Sequence, residues 1–297
     1  MKFAAVDVGS NAVRLLFTRV FQSDFNAPFF KKDSLIRMPI RLGDDAFSHK
    51  VISEEKKQKI IRTMIGFKHL IDAYQPLDFM ACATSAMREA NNGMEIVEEI
   101  KQTSGIDIQI VPGKREAEII YSNHIENLLD INKSYLYIDV GGGSTEITIF
   151  SEGKVLTSNS FKIGAIRILK NMIQEDDWKE MKSWIKSVTR KRDNMYAIGS
   201  GGNINKLFRI SRQKDNKPLK RKKLEQIAYL ISQYTFDERI KKLGLRPDRA
   251  DVIIPASEIY LTVMKAAKIK KIYVPQVGLA DGLVHILYDK HIADEND

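Results

Sequence analysis

The sequence has very few of the residues that form disulfides and metal sites of the thiolate or imidazole type. Cys82 is its only cysteine, so neither an intrachain disulfide nor a cysteine-ligated metal cluster can form. Its five histidines show no metal-ligand spacing. No apolar run approaches the roughly 20 residues that cross a bilayer, and Asp7 interrupts the apolar start of the chain, which argues against a signal peptide. These absences predict a cytoplasmic protein that does not enter a membrane.

Length and composition are those of a globular protein with room for two domains. The chain has 297 residues, of which 43% are hydrophobic and 29% are charged. A net charge of +9 favours polyanionic partners. The basic clusters Lys217–Lys223 and Lys265–Lys271 are most simply interpreted as solvated helix faces. Because aromatic-rich and helix-turn-helix signals are missing, we do not expect nucleic-acid binding.

A short unit of strand, aspartate, glycine-rich turn and second strand occurs twice along the chain. Its first copy contains Asp7–Asn11 and its second contains Asp139–Ser144. Apolar strand segments alternate with amphipathic helical segments, which favours an α/β architecture. The repetition predicts two domains of similar fold, residues 1–124 and 125–297, allowing for a C-terminal helix that packs back on the first.

Three glycine turns follow predicted strands, at Gly9–Asn11, Gly141–Thr145 and Gly199–Asn203. Glycine lets backbone N–H groups converge on an anion, and a helix that starts after the turn adds its positive end. A tight turn alone would explain any one of them, but three in one chain favour phosphate binding. The predicted phosphate ligands are Gly9, Ser10, Asn11, Gly141, Gly142, Gly143, Ser144, Thr145, Gly201 and Gly202.

Carboxylates accompany the first two turns. Asp7 and Asp139 end their strands at the turn, and Glu146 follows the second turn near the start of the next strand. Such side chains can hold Mg²⁺ beside a substrate phosphate, although an aspartate there can also accept hydrogen bonds from its own turn. We therefore predict Asp7, Asp139 and Glu146 as metal ligands.

Several blocks of the sequence resemble the Ppx/GppA phosphatase family, the exopolyphosphatases and guanosine pentaphosphate phosphatases of the sugar kinase/Hsp70/actin superfamily. The resemblance covers essentially the whole chain. The matching blocks are DVGSNAVRLL (Asp7–Leu16), RLGDDA (Arg41–Ala46), ATSAMREANN (Ala83–Asn92), PGKREAE (Pro112–Glu118), DVGGGSTE (Asp139–Glu146), GAIRILK (Gly164–Lys170), IGSGGN (Ile198–Asn203) and RADVIIPA (Arg249–Ala256).

The resemblance implies a fold of two actin-like, ribonuclease H-like domains with a cleft between them. It also implies an acid anhydride hydrolase, dependent on Mg²⁺ or Mn²⁺, that releases the terminal phosphate of inorganic polyphosphate or converts pppGpp to ppGpp. Glu116 looks like the family's catalytic base, which activates water, and Arg88 looks like a phosphate-binding arginine. Arg14, Arg41 and Arg167 match arginines of flanking motifs. A homodimer is the family expectation.

The chain departs from the family pattern around the predicted base. Arg115 stands where the family usually has glutamate, and Glu118 stands where it usually has arginine. The C-terminal block Gly278–Gly282 lacks a usual arginine. Two alternatives therefore stay open beside the hydrolase: an ATP-dependent phosphotransferase on the same fold, and a sensor that binds guanosine nucleotides without turnover. The sequence does not separate polyphosphate from pppGpp.

Overall fold

The computed structural model describes residues 1–22, 27–122, 130, 133–152, 154–190, 192, 194–215 and 217–296. The chain divides into two compact units. Unit 1 comprises Met1–Asn123 and Gly278–Asp297, and unit 2 comprises His124–Val277. Each unit contains its own mixed β-sheet with helices packed on it, so the predicted α/β class is confirmed.

The sheet of unit 1 is formed by β1 (Lys2–Val8), β2 (Val13–Phe21), β3 (Phe29–Met38), β4 (Asp78–Ala83) and β5 (Ile108–Ile110). Its strand order is β3-β2-β1-β4-β5. The first three strands pair antiparallel, and β4 and β5 continue parallel to β1. After Lys2, β1 is completely buried, as expected for a central strand covered on both faces. The edge strand β3 exposes Lys31 and Lys32, and such charges discourage edge-to-edge pairing.

The first five helices belong to unit 1: α1 (Leu42–His49), α2 (Glu54–Tyr74), α3 (Ser85–Glu89), α4 (Gly93–Ser104) and α5 (Gly113–Tyr121). The longest, α2, buries Ile60, Met64 and Ile71 on one face. It ends before Pro76, which disfavours helical backbone in the residue before it. Helix α5 is followed by residues 123–129, which lie outside the described residues.

The sheet of unit 2 is formed by β6 (Ser134–Val140), β7 (Thr145–Ser151), β8 (Lys154–Phe161), β9 (Tyr196–Ser200), β10 (Leu219–Lys220) and β11 (Lys271–Tyr273). Its strand order is β10-β11-β9-β6-β7-β8. Here too, three successive antiparallel strands begin the sheet, and β9 and β11 continue it in parallel with β6. The two sheets therefore share one plan, to which unit 2 adds the short strand β10.

The helices among the described residues of unit 2 are α6 (Ala165–Leu169), α7 (Glu175–Thr189), α8 (Gly202–Ser211), α9 (Arg221–Ser232), α10 (Phe236–Lys241), α11 (Pro247–Ala250) and α12 (Ile253–Ala266). Helix α12 is the most apolar of them and packs against α6, α7, α8 and α9. Its residues Ile259, Tyr260 and Met264 are fully buried. No helix among the described residues is both long enough and apolar enough to cross a membrane.

The C-terminal helix α13 (Leu279–Asn296) packs on β1 and α5 of unit 1. A Cβ at Gly282 would lie 1.9 Å from the carbonyl oxygen of Ile119, so glycine permits the close approach of α13 to α5. Asp281 accepts a hydrogen bond from the N–H of Gly278 at 2.9 Å, and its carboxylate forms an ion pair with Lys32 at 2.7 Å. The block that begins α13 thus positions the helix that carries the predicted base.

Candidate active site

The first glycine turn joins β1 to β2 at the carboxyl end of β1. The N–H of Gly9 donates to the carbonyl oxygen of Ala12 at 3.2 Å and closes the turn. A Cβ at residue 9 would lie 3.1 Å from the same oxygen, which is closer than a side chain usually comes. Glycine at this position therefore keeps the turn tight and its backbone open to a ligand.

Helix α1 holds the carbonyl groups of this turn. The N–H groups of Gly43 and Arg41 donate to the carbonyl oxygens of Ser10 and Asn11, at 2.8 and 3.1 Å. The C=O and N–H groups of a trans peptide unit point in opposite directions. The N–H groups of Asn11 and Ala12 are consequently directed away from α1, as an anion-binding turn requires.

Asp7 lies directly opposite Arg14 in the β1–β2 pair. Its carboxylate forms an ion pair with the Arg14 guanidinium, and Asp7 is 5% exposed. A divalent cation at Asp7 would meet this positive guanidinium. The ion pair joins the two strands beside the turn. The role of Asp7 as a metal ligand stays a prediction.

Two polar side chains follow β4, and one of them, Arg88, was predicted to bind phosphate. The hydroxyl oxygens of Ser85 and Ser10 are 2.9 Å apart, so α3 and the first turn are joined by a buried hydrogen bond. Arg88 donates one Nη1 hydrogen bond to the carbonyl oxygen of Val111 at 2.6 Å. A guanidinium has five N–H donors, so this contact orients Arg88 and leaves donors for a phosphate.

The predicted base Glu116 is in the first turn of α5 and is 9% exposed. It lies near the thiol of Cys82, as does Asp7. Burial, with the negative charges of these carboxylates, raises the pKa of Cys82 to about 12. The buried thiol is therefore protonated at neutral pH and is not a reactive thiolate. The carboxylates of Asp7, on β1, and Glu116, at the start of α5, thus both act on the thiol at the end of β4.

Arg115 and Glu118, the two residues with reversed charge beside Glu116, form an ion pair with each other. Arg115 Nη1 lies 3.1 Å from Glu118 Oε2, and each side chain is about half exposed. Glu116 is on the buried side of the same helix turn. Because Arg115 and Glu118 form an ion pair at the surface, their exchange relative to the family pattern keeps a neutral pair there.

The second glycine turn joins β6 to β7 and repeats the first. The N–H of Gly141 donates to the carbonyl oxygen of Ser144 at 3.0 Å. Asp139 lies directly opposite Glu146 in the β6–β7 pair. Side chains directly opposite one another on a sheet have Cβ atoms about 5 Å apart, so the hairpin places two carboxylates side by side.

Helix α6 binds three carbonyl groups of the second turn. The N–H groups of Ala165 and Ile166 donate to Gly141 and Gly142 at 3.0 and 2.9 Å, and Nε of Arg167 donates to Gly143 at 2.7 Å. By the same trans-peptide geometry, the N–H groups of Gly142, Gly143 and Ser144 point away from α6. Successive N–H groups directed to one side form an anion-binding nest.

Gly164 and Thr145 support this nest through contacts that do not involve its N–H groups. A Cβ at Gly164 would lie 2.3 Å from the carbonyl oxygen of Gly142, so only glycine permits the contact between α6 and the turn. Thr145 is fully buried, and its hydroxyl donates to the carbonyl oxygen of Ile163 at 2.5 Å. The Thr145 hydroxyl was predicted to contact phosphate, but its proton is used inside the protein.

The two carboxylates of the second hairpin lie next to a buried tyrosine. Glu146 is 1% exposed and accepts a hydrogen bond from the Ser160 hydroxyl at 2.8 Å. Tyr260 donates its hydroxyl proton to the carbonyl oxygen of Ser200. Burial raises the pKa of Tyr260 well above its usual value, and the negative charges of Asp139 and Glu146 raise it further. The tyrosine therefore stays neutral beside this acidic pair.

The third glycine turn adjoins the second because β9 pairs with β6. Gly201 has φ 101°, a backbone conformation that favours glycine, and a Cβ there would lie 3.0 Å from Asp139 Oδ1. A Cβ at Gly202 would lie 2.5 Å from Nη2 of Arg249. The Arg249 guanidinium thus covers the start of α8. The block Arg249–Ala256 matches the family pattern, but no role at the site was predicted for Arg249.

A divalent cation fits the second hairpin better than the first. Among the described residues, no group of three or more histidine, cysteine, aspartate or glutamate side chains could enclose a metal. Mg²⁺ typically binds through one or two carboxylates and completes its coordination with water and substrate phosphates. Asp139 and Glu146 provide such a pair, whereas Asp7 is already paired with Arg14.

The duplicated sheet, each copy with a glycine hairpin at the end of its first strand, defines an actin-like two-domain α/β protein. The family model of the Ppx/GppA phosphatase family matches residues 34–291. The chain therefore belongs to the Ppx/GppA phosphatase family, and the predicted resemblance and fold class are confirmed.

Similar proteins agree with this assignment. Exopolyphosphatase 1 of Mycobacterium tuberculosis is 24% identical over 311 residues, which cover 96% of this chain and 87% of that protein. The bifunctional 3-dehydroquinate synthase/phosphatase of Fusobacterium nucleatum is 26% identical over 283 residues, which cover 88% of this chain. The aligned region is 43% of that bifunctional protein, so this chain spans less than half of its length.

Two solved structures share the fold over nearly their whole length. The exopolyphosphatase of Cytophaga hutchinsonii superimposes with a TM-score of 0.84 at 23% identity, covering 98% of both chains. The Ppx/GppA family member of Aquifex aeolicus superimposes with a TM-score of 0.75 at 21% identity, also covering 98% of both chains. At this level of identity the comparison establishes the fold.

Proposed function

We propose that this protein is an exopolyphosphatase, a hydrolase that releases the terminal phosphate of inorganic polyphosphate. The observation that carries the proposal is the second hairpin. There, the N–H groups of Gly142, Gly143 and Ser144 form a nest for an anion beside the carboxylates of Asp139 and Glu146. The names of the relatives from Mycobacterium tuberculosis and Cytophaga hutchinsonii support polyphosphate as the substrate.

The nest would bind phosphate oxygens through backbone N–H groups. Such donors are fixed by α6 before the substrate arrives, so little reorganisation is needed when charge develops on the transferred phosphoryl group. In unit 1, the turn at Asn11 and Ala12 offers two more donors of the same kind, and Arg88 adds a cationic donor. Bidentate arginine contacts are well suited to phosphate.

Asp139 and Glu146 would hold Mg²⁺ or Mn²⁺, with Ser160 orienting Glu146 through its hydrogen bond. When bound, the cation would neutralise negative charge on the phosphates. Without it, two adjacent carboxylates would repel a polyanionic substrate. This pair of acids therefore makes activity dependent on a divalent cation.

Glu116 would accept a proton from the attacking water. As the water oxygen bonds to the terminal phosphorus, the bridging P–O bond breaks, and the shortened chain leaves with the electron pair of that bond. The water proton passes to a Glu116 carboxylate oxygen. The helix that presents Glu116 is held by α13 through the contact at Gly282, which fixes the base relative to β1 and β4.

The same groups could act on the phosphates of a guanosine nucleotide such as pppGpp. Release of phosphate should therefore be measured with Mg²⁺ from short polyphosphate, long polyphosphate, pppGpp and ATP in parallel. We expect release from polyphosphate. Release from pppGpp alone would reassign the substrate, and tight nucleotide binding without any release would favour a sensor.

Glu116→Gln tests the base, and Glu118→Gln is its matched control. Both substitutions remove one carboxylate from α5, but Glu118 is half exposed and pairs with Arg115. We expect Glu116→Gln to lower the rate about 10²- to 10⁴-fold, the usual contribution of a general base, and Glu118→Gln to change it less than about threefold. Equal rates in the two variants would remove Glu116 from the mechanism.

A further inference from the structure

A basic groove of about 980 Å³ lies in unit 2, away from its glycine turns. It is lined by the ends of α7 and α12 and by the starts of β9 and β11. Seven of its cationic side chains are exposed: Lys133, Lys186, Arg190, Lys265, Lys268, Lys270 and Lys271. Among the described residues that line it, none is an aspartate or glutamate. We call this feature the basic groove.

The basic groove is at the opposite end of the sheet from the second glycine turn. Lys133, which also lines it, precedes β6, and Asp139 is near the carboxyl end of β6. At about 3.3 Å per strand residue, the two positions are about 20 Å apart. The parallel strand β9 likewise begins at the groove with Tyr196 and ends at Ser200 beside the third turn. The groove is therefore not part of the candidate active site.

Helix ends explain only part of this charge. Lysine near the C-terminus of a helix interacts favourably with the helix dipole, which accounts for Lys186 on α7 and Lys265 on α12. Lys265 also lies 3.3 Å from Glu225, outside the groove lining. By contrast, Lys268, Lys270 and Lys271 follow the end of α12, and no described carboxylate forms an ion pair with them. Four basic residues within seven positions keep like charges together at a concave surface.

The aromatic side chain of the groove distinguishes among polyanions. Tyr196 has the ammonium groups of Lys133 and Lys271 at 5.6 and 5.8 Å from its ring centroid. Its ring also packs against Tyr135 and Tyr273, with centroids 6.1 and 5.6 Å apart. Single-stranded nucleic acid is held largely by stacking of bases on open aromatic faces, and this ring is already engaged. The groove offers point charges and no stacking platform.

We propose that the basic groove is a second binding site for linear inorganic polyphosphate, which holds a distant part of a long chain while its end is hydrolysed elsewhere. This inference rests on the proposed function, since it takes the substrate to be polyphosphate. Lysine ammonium groups bind phosphates as point charges without fixed geometry, as suits a uniform chain that must slide. A long substrate would then bind at two linked sites, which raises its affinity through effective concentration.

The test neutralises the part of the groove that helix ends do not explain. In one variant Lys268, Lys270 and Lys271 become Gln. A matched control changes Lys214, Lys217 and Lys241 to Gln, which removes the same charge from exposed positions of unit 2 outside the groove. Binding of polyphosphate of about 100 units, of tripolyphosphate and of single-stranded RNA is measured at two salt concentrations without divalent cation, and turnover is then measured with Mg²⁺.

We expect the groove variant to bind long polyphosphate about tenfold more weakly than the control and with a shallower salt dependence, because fewer counterions are released. Its KM for long chains should rise while kcat and all tripolyphosphate parameters stay as in the control. Equal affinity of the two variants for long chains would overturn the proposal, and so would RNA that binds as tightly as polyphosphate with the same loss. If long chains bind at the groove but are not hydrolysed, the proposed function fails and the groove stands.

Discussion

The hairpins of the two units have the same backbone and different electrostatics. In each, an aspartate is the penultimate residue of the first strand, a glycine N–H closes the turn, and the residue that faces the aspartate lies on the second strand. That facing residue is Arg14 in unit 1 and Glu146 in unit 2. In the first hairpin the aspartate forms an ion pair with the arginine that faces it, whereas the second hairpin places two carboxylates opposite each other.

The turns differ in their anion-binding capacity as well. Helix α1 holds two carbonyl groups of the first turn, and α6 with Arg167 holds three of the second. The second turn accordingly directs one more N–H group away from its supporting helix. The two hairpins therefore share one backbone plan and differ in the residue opposite the aspartate and in the helix that supports the turn.

The largest expected effect is a difference between Glu146 and Asp7 in how the rate depends on Mg²⁺. Glu146→Gln should lower phosphate release about 100-fold or more and raise the Mg²⁺ concentration for half-maximal rate, because one of two cation-binding carboxylates is lost. Asp7→Asn should leave the half-saturating Mg²⁺ concentration unchanged. Mg²⁺ titrations of both variants check this. The melting temperature of Glu146→Gln should not fall below that of the wild type, since neutralising one acid relieves repulsion with Asp139. An equal shift in both titrations would contradict the comparison.

A second prediction breaks the support of the second turn alone. Gly164→Ala would place a Cβ 2.3 Å from a backbone oxygen of Gly142, so we expect a loss of about 3 kcal/mol in unfolding free energy. Gly66→Ala is the control, because no atom lies within 4 Å of its Cβ position in α2. At this helical position alanine should raise the unfolding free energy by about 0.5–1 kcal/mol. Urea unfolding measures both; a stable Gly164→Ala protein would show that α6 can move.

The third prediction removes the charge compensation of the first turn. Arg14→Ala leaves the buried Asp7 carboxylate without its partner and should cost about 2 kcal/mol of unfolding free energy. The double variant Asp7→Asn with Arg14→Ala should recover part of this loss, because no buried charge then remains. A double-mutant cycle in urea tests the coupling. Additive single effects would mean that the ion pair contributes nothing to the hairpin.

The smallest effect concerns Asp45, which supports the first glycine turn through Lys56 and makes the stability of this region depend on pH. Asp45 accepts hydrogen bonds from Lys56, at 2.7 Å, and from Ser53, and these contacts outweigh burial and lower its pKa below 3.8. Lys56 in turn donates to the carbonyl oxygen of Arg41 at 2.8 Å. Because the folded-state pKa is lowered, this contribution is present above about pH 4 and is lost as the pH falls through the folded pKa.

Asp45→Asn should therefore reduce stability by about 1 kcal/mol or less at pH 7, because solvent screens the pair. The difference from the wild type should shrink below pH 4. Urea unfolding at pH 7, 5 and 3.5 measures it, with Asp72→Asn in the exposed helical pair with Lys68 as the control. A difference that stays constant down to pH 3.5 would contradict the assignment.

Local features of both hairpins could be predicted from the sequence. An apolar strand followed by aspartate and glycine determines its own turn, so the positions of Asp7, Gly9, Asp139 and Gly141 were predicted together with two similar domains. The ion pair of Asp7 with Arg14 was not predicted, because it depends on the register of the two strands. The prediction that Asp7 ligates the cation was therefore made without this ion pair.

Contacts between distant segments were beyond sequence reasoning for the same reason. Neither Gly164 against Gly142 nor Arg249 against Gly202 leaves a trace in local periodicity. Among the strands, β8 has a mostly polar sequence, KVLTSNSF, and β11 has only three residues. Short or edge strands show too little alternation to be recognised, and the neighbouring strand stabilises them instead.

The packing of α13 on β1 and α5 has a consequence for the order of folding. About 270 residues separate β1 from α13, and the whole of unit 2 lies between them in the chain. Contacts so distant in sequence form late, because closing a long loop costs entropy before any contact compensates for it. During synthesis, unit 2 can complete its core first, while α5 waits for α13 to leave the ribosome. The helix that carries Glu116 would then reach its final position only after α13 has been made, later than the whole of unit 2.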